Sequence, residues 1–285
     1  MKIAVLSGKG GTGKTFLSVN LAAAANKSMY IDCDIEEPNG HLFFKPTNIA
    51  KREVSVKIPK VDKDKCIGCR NCVDFCKFNA LAFIKSKPMV FEEVCHSCGG
   101  CMLFCSSEAL SEIDRNIGYI HEGFSDGVKI SSGILNIGEA SGVPIIEELL
   151  DGVAKSDDLV IIDCPPGSNC TVMESIKYAD YALIVAEPTI FGLHNLKMVY
   201  ELLNLFNIPF GIVINKYTDR NNPIIEFAKD NNIKIIYEIP FDKNIGKINS
   251  NGKIISRVDE NYNNIFLEIL NKVKEEVHRE TVINS

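Results

Sequence analysis

Short apolar runs that end in glycine, proline or acidic residues recur along most of this chain. They alternate with stretches in which apolar positions return every three to four residues. Lys2-Ile3-Ala4-Val5-Leu6-Ser7 predicts a buried strand, residues 8–15 a glycine-rich loop, and residues 16–26 a helix carrying Leu17, Leu21 and Ala24-Ala25. A second strand, 29–31, runs into Asp32-Cys33-Asp34, and a later one, 159–162, into Asp163-Cys164-Pro165-Pro166-Gly167. Strands predicted at 181–186, 210–215 and 234–237 alternate with helices at 193–206, 223–231 and 261–277. This order predicts an α/β class with a mainly parallel, doubly wound sheet covered by helices on both faces. Ligands of such sheets bind beyond the carboxyl ends of the strands, where the acids Asp32, Asp34 and Asp163 fall.

The rhythm stops between 56 and 113, where cysteines crowd in, and residues 125–142 read as a glycine-bearing return connection. The pattern therefore predicts two domains: a discontinuous one over 1–55 and 114–285, and a small insert over 56–113.

Composition narrows the picture. The chain has 285 residues, 46% hydrophobic and 24% charged, which suits a packed core and excludes wholesale disorder. A net charge of −6 argues against a nucleic-acid or anionic-membrane partner. No run approaches the roughly 20 apolar residues of a membrane span, and Met1 leads straight into the first strand rather than a cleavable leader, so a cytoplasmic location is expected. The acidic tail from Asp259, with Ile265, Ile269, Val273 and Val277 at helical spacing, suits a helix packed on its own domain rather than on lipid. Eight of the 11 cysteines lie between Cys66 and Cys105, a clustering that points to metal rather than disulfides.

Gly8-Lys9-Gly10-Gly11-Thr12-Gly13-Lys14-Thr15 fits G-x-x-x-x-G-K-[ST]. Backbone N–H groups in such a loop wrap phosphates, Lys14 neutralises their charge, the Thr15 hydroxyl ligates Mg²⁺, and the following helix adds its positive end. Cys66-x-x-Cys69-x-x-Cys72-x-x-x-Cys76 recurs as Cys95-x-x-Cys98-x-x-Cys101-x-x-x-Cys105, the spacing of two-cluster bacterial ferredoxins, a small α+β module. In that pattern the fourth cysteine crosses over, so Cys66, Cys69, Cys72 and Cys105 would hold one [4Fe-4S] cluster and Cys95, Cys98, Cys101 and Cys76 the other. Zinc is the main alternative, although its sites are built from pairs of ligands rather than two identical quartets. Lys77 and Ser106 stand where such motifs usually carry proline.

With Lys9 near its start, the loop resembles the deviant Walker A ATPases, the group of MinD, ParA, Mrp-type cluster carriers and the nitrogenase iron protein. The resemblance implies ATP and ADP as ligands and a dimer formed on ATP, of identical chains or with a paralogous ATPase. It gives Lys9 a role in trans on the partner's nucleotide, Asp34 the attacking water, and Asp163 the Mg²⁺; Asp32 could share either acid's role. Gly167 would offer its N–H to the γ-phosphate. Asn215 would touch adenine and the Pro240-Phe241-Asp242 loop would line the base; the guanine-reading N-K-x-D motif is broken, since Thr218 stands where Asp is needed and Asp219 comes one residue late. Cys170 lies at the offset of the cysteine that holds the dimer-bridging cluster of the nitrogenase iron protein, which admits a third cluster, but the second cysteine such a cluster needs has no counterpart between Ile113 and Asp158, which favours a structural Cys170; Cys33 and Cys164 suit buried core positions.

Over nearly the whole chain the arrangement is similar to MinD-superfamily ATPases with an inserted ferredoxin domain. That implies nucleotide turnover coupled to electron transfer, or to maturation of a partner metalloprotein. Two other readings stay open: a cluster carrier whose ATPase times release, and a positioning ATPase, for which a basic tail is missing.

Overall fold

The computed structural model describes residues 1–283 apart from 26 and 219–221, with side chains described through 279. Asn26, the expected end of the first helix, and Asp219 lie outside the described residues. In chain order the body begins with β1 (Lys2–Leu6), α1 (Lys14–Ala24), β2 (Ser28–Asp32), α2 (Gly40–Phe44) and β3 (Thr47–Val61). The cysteine-rich segment follows with α3 (Asn71–Phe75), β4 (Leu81–Ile84), β5 (Lys87–Val90) and α4 (Gly100–Leu103). The chain returns through β6 (Leu110–Ser125), β7 (Val128–Leu135), α5 (Val143–Leu149), β8 (Val160–Asp163), α6 (Cys170–Ser175), β9 (Tyr181–Ala186) and α7 (Ile190–Leu205). It ends with β10 (Phe210–Tyr217), α8 (Pro223–Asp230), β11 (Ile235–Pro240), α9 (Lys243–Ser250) and α10 (Glu260–Ile283).

Nine strands form one sheet in the order β11-β10-β9-β1-β8-β2-β7-β6-β3. Pairing is parallel from β11 through β7, and only the β7-β6 and β6-β3 ladders are antiparallel. Side chains of a strand point alternately to its two faces, and the central strands show this directly. Ile3, Val5, Ile161 and Leu183 pack with Phe16 and Leu17 of α1 and Phe266 and Ile269 of α10. Their neighbours Ala4, Leu6, Ile162 and Ile184 pack on the opposite face with Ile145 of α5, Val172 of α6, Leu196 of α7 and Ile224 of α8. The sheet is thus buried on both sides, as its near-continuous apolar strands require.

Two sequence expectations are corrected. Residues 125–142 do not form a plain connection, because β7 occupies Val128–Leu135 and pairs with both β2 and β6. Its Lys129, Ser131, Ser132 and Gly133 disguise a strand whose Val128 and Ile130 are fully in the core. Nor does the body's rhythm stop at 56. β3 and β6 form one long antiparallel ladder from Thr47↔Phe124 to Val61↔Leu110, so the chain leaves the body along paired strands rather than through loops.

Beyond that ladder, β4 and β5 make a two-stranded antiparallel sheet, and Cys72, Leu81, Cys101 and Leu110 form a small core of their own. The two cysteine motifs take matching backbone turns. Gly68, Arg70 and Asn79 have φ of 73, 67 and 55°, and their counterparts Ser97, Gly99 and Glu108 have 53, 68 and 51°. The short helices α3 and α4 follow from equivalent positions, and Phe75 of the first stacks on Phe104 next to the second at 4.4 Å between centroids. Among the described residues no helix is long and apolar enough to cross a membrane.

Candidate functional site

The carboxyl ends of β1, β2 and β8 open into a cavity of about 640 Å³ lined by Gly10, Gly11, Gly13, Lys14, Thr15 and Asp34, among others. Gly11 and Gly13 have φ of 79 and 96°, a region a side chain disfavours, which lets the loop turn its backbone inward above the N-terminus of α1. Thr12 Oγ1 is buried with no hydrogen-bond partner among the described residues, next to these turns. The cavity's far wall, built from Leu42, Phe43, Asn249, Ser250 and Gly252, has no signature in sequence.

Lys14 and the acids converge because β2 and β8 are neighbours in register, with Asp32 beside Asp163. Asp163 is fully buried; its Oδ1 accepts from Lys14 Nζ at 2.5 Å and from Ser18 Oγ at 3.1 Å, and its Oδ2 accepts from Tyr30 O–H at 2.9 Å. Asp34 Oδ2 lies 3.7 Å from the same Lys14 nitrogen. Burial opposes charge on Lys14, but Asp163, Asp34 and Asp32 together outweigh it and hold the ammonium above its ordinary pKa. Asp32 is the counterpart. Burial and then the Asp163 charge push it up to about 7, against the pull of Lys14 and an N–H from Gly40 at 2.9 Å. Asp34 is likewise raised, first by burial.

The other expected residues are placed as follows. Lys9 Nζ lies 3.0 Å from Glu187 Oε2, whose other oxygen accepts from Lys216 at 2.5 Å. Glu187, just beyond the end of β9, was not singled out from sequence, although strand ends are where such a residue is expected. Ser18 and Tyr30 were also missed, since nothing in their local pattern marks them. Gly167 donates its N–H to the Ser7 carbonyl at 2.9 Å. Asn215 sits behind the loop rather than in the cavity: its Nδ2 donates to the Thr12 carbonyl at 2.8 Å, and its Oδ1 accepts the Lys216 N–H. Asp242 caps α9 by accepting from Asn244 N–H at 2.7 Å and also accepts from Tyr262 O–H at 2.9 Å, away from the cavity walls.

Two further cavities lie in the cysteine-rich segment. One is lined by Cys66, Cys69, Cys72 and Cys105, the other by Cys76, Cys95, Cys98 and Cys101, so each takes three cysteines of one motif and the fourth of the other. Their volumes differ, about 20 Å³ for the first and 170 Å³ for the second. Burial raises the thiols of Cys72, Cys95 and Cys101, the last to about 11, with neighbouring cysteines adding to the shift. Among the described residues no three His, Cys, Asp or Glu side chains gather tightly enough to hold one metal ion. Four thiolates on a single zinc would stand about 3.8 Å apart, given Zn–S of about 2.3 Å. A four-iron cube binds each thiolate to a different iron and so spreads them farther, and the donor set suits it. Cys170 is exposed at the first position of α6, and Cys33 and Cys164 are buried in the core.

A parallel sheet with a glycine-rich loop between β1 and α1, and carboxylates at the adjacent strand ends, defines a P-loop nucleotide-binding protein. The chain belongs to the CobQ/CobB/MinD/ParA nucleotide-binding family, whose model matches residues 3–255. It is 38% identical over 279 residues to the uncharacterized protein MJ0578 of Methanocaldococcus jannaschii, covering 96% of this chain and 97% of that one. An iron-sulfur cluster carrier protein of the same organism is 26% identical over 301 residues, covering 97% of this chain and 84% of its own. In fold, the septum site-determining protein MinD of Pyrococcus horikoshii, solved with Mg-ADP, superposes with a TM-score of 0.59 at 18% identity over 95% of both chains.

Proposed function

We propose that this chain is an ATPase in which nucleotide-driven movement of the strand-end acids is coupled to an inserted ferredoxin domain holding two [4Fe-4S] clusters, for electron transfer to, or maturation of, a partner metalloprotein. The observation that carries this reading is the sorting of eight cysteines into two cavities, each with the crossed quartet of a two-cluster ferredoxin. When bound, the clusters supply one-electron storage. The chain's own residues do the rest.

Lys14 and the loop N–H groups take the nucleotide phosphates, Thr15 and Asp163 hold Mg²⁺, and Asp34, at the cavity wall, orients water for attack on the γ-phosphate. Lys9 acts in trans in a dimer of identical or paralogous chains, which requires it to leave Glu187. Gly167 reports the γ-phosphate by releasing the Ser7 carbonyl. Asn215, held to the loop through the Thr12 carbonyl, contacts adenine, and the 240–242 loop, fixed by the Asp242 cap of α9, lines the base. Anaerobic purification with iron and sulfide counting, followed by an ATPase assay, tests the reading; the expectation is about eight irons per chain from two quartets.

A second reading, an iron-sulfur cluster carrier with ATP-timed release, is favoured by the full-length likeness to a cluster carrier protein and by the exposure of Cys69 and Cys98. Transfer of iron to an apo-acceptor, faster with ATP than with ADP, would select it.

A further inference from the structure

A run of close contacts leads from the nucleotide cavity to a smaller cavity that Cys95 of the second quartet also lines. It starts at Ile35, which follows Asp34 in the cavity wall and is 2% exposed. The Ile35 carbonyl accepts from Leu135 N–H at 2.9 Å. Its side chain presses on two glycines: a Cβ on Gly142 would stand 2.0 Å from Ile35 Cδ1, and one on Gly133 2.6 Å from Cγ2. Contacts of a side chain on bare backbone leave no rotamer to absorb a displacement, so movement of Ile35 must be taken up by the end of β7 or by the segment after it.

That segment is tied at its other end. Asn136 N–H donates to the Ile117 carbonyl and its Nδ2 to Asn116 Oδ1, both at 2.9 Å. Glu139 Oε1 then meets Arg115 Nη2 at 2.5 Å, with only 8% and 13% of the two side chains exposed. An exposed pair is easily rearranged, whereas one this far from water holds its geometry. Glu139 of the pair lines a cavity of about 150 Å³ together with Ala140, Ser141, Cys95, His96 and Ser97.

We propose that residues 136–142, strung between Ile35 and the Arg115–Glu139 pair, are the link by which nucleotide occupancy acts on the second quartet, with Arg115 the positioning residue that holds Glu139 at the cavity Cys95 lines. This rests on the coupled-ATPase reading above. Displacing Glu139 reshapes the cavity it shares with Cys95, His96 and Ser97, and no cysteine of the first quartet lines that cavity, so the change reaches 95–97 and not the first quartet.

Hydrogen exchange of the anaerobically purified chain, with and without a non-hydrolysable Mg-ATP analogue, tests the link. In the wild type, exchange in 95–97 and in 136–142 is expected to change together by about fivefold or more on binding. In Glu139→Gln the analogue should bind within about twofold of wild type and still alter residues 133–136, while the response at 95–97 disappears. Arg115→Gln, which cuts the pair from the other side, should give the same loss, and Arg115→Lys should restore part of it. An undiminished response at 95–97 in both Gln variants overturns the link and leaves the coupled reading standing. A wild type that responds at 8–15 but in neither segment overturns both.

Discussion

Lys14 Nζ and Asp163 Oδ1 stand 2.5 Å apart, so the lysine meant for phosphate and the carboxylate meant for Mg²⁺ are each other's counterion. On the function proposed above, nucleotide binding exchanges this buried pair for two others, phosphate for the lysine and metal for the acid.

Lys14→Ala should therefore do two things. It should weaken ATP binding by about 10- to 100-fold, the value of a charge-assisted contact. It should also destabilise the protein without nucleotide by about 3–5 kcal/mol, because Asp163 and Asp32 lose the cation that offsets them. Calorimetric titration and chemical denaturation separate the two effects.

Asp32 gives a pH signature. Its folded pKa is raised to about 7 from an ordinary 3.8, so the folded state binds the proton more tightly than the unfolded one. Its contribution is fully present below about pH 4 and is lost as pH rises toward 7. In Asp32→Asn, which keeps an acceptor for the Gly40 N–H, this slope should be missing. Subtracting the two denaturation curves over that window isolates it.

Glu187→Gln should free Lys9, which Glu187 holds at 3.0 Å, and should lower the ATP concentration needed for dimer formation in sedimentation experiments. If Lys9 works only within its own chain, the variant should sediment like the wild type at every ATP concentration.

The crossed quartets are tested by single replacements. Cys105→Ser should disturb the cluster held with Cys66, Cys69 and Cys72, and Cys76→Ser the one held with Cys95, Cys98 and Cys101. Differences in the EPR of the reduced protein would assign each. Zinc bound in place of iron would show no such signals.

The sequence made the order of the body legible because its central strands are buried on both faces and read as unbroken apolar runs, as at Val160–Asp163 and Tyr181–Ala186. β7 escaped because Ser131 and Ser132 are polar yet buried, with Ser131 Oγ donating to Glu122 Oε1 and Ser132 in register with Asp32 of β2. The loop and cysteine motifs were legible because their chemistry fixes their spacing. Tyr30, Glu187 and the Arg115–Glu139 pair were not, since only strand register and the return of the chain at 136–142 bring them to their partners. Asn215 was singled out by resemblance, and its hydrogen bond to the Thr12 carbonyl, 203 residues away in the chain, is a contact only the fold reveals.

The most direct measurement is a potentiometric EPR titration of the anaerobically purified protein in the ADP state and with a non-hydrolysable ATP analogue. The expected result is two [4Fe-4S] signals, at least one of which shifts between the two nucleotide states. An iron-free protein, or signals identical in both states, would contradict the account.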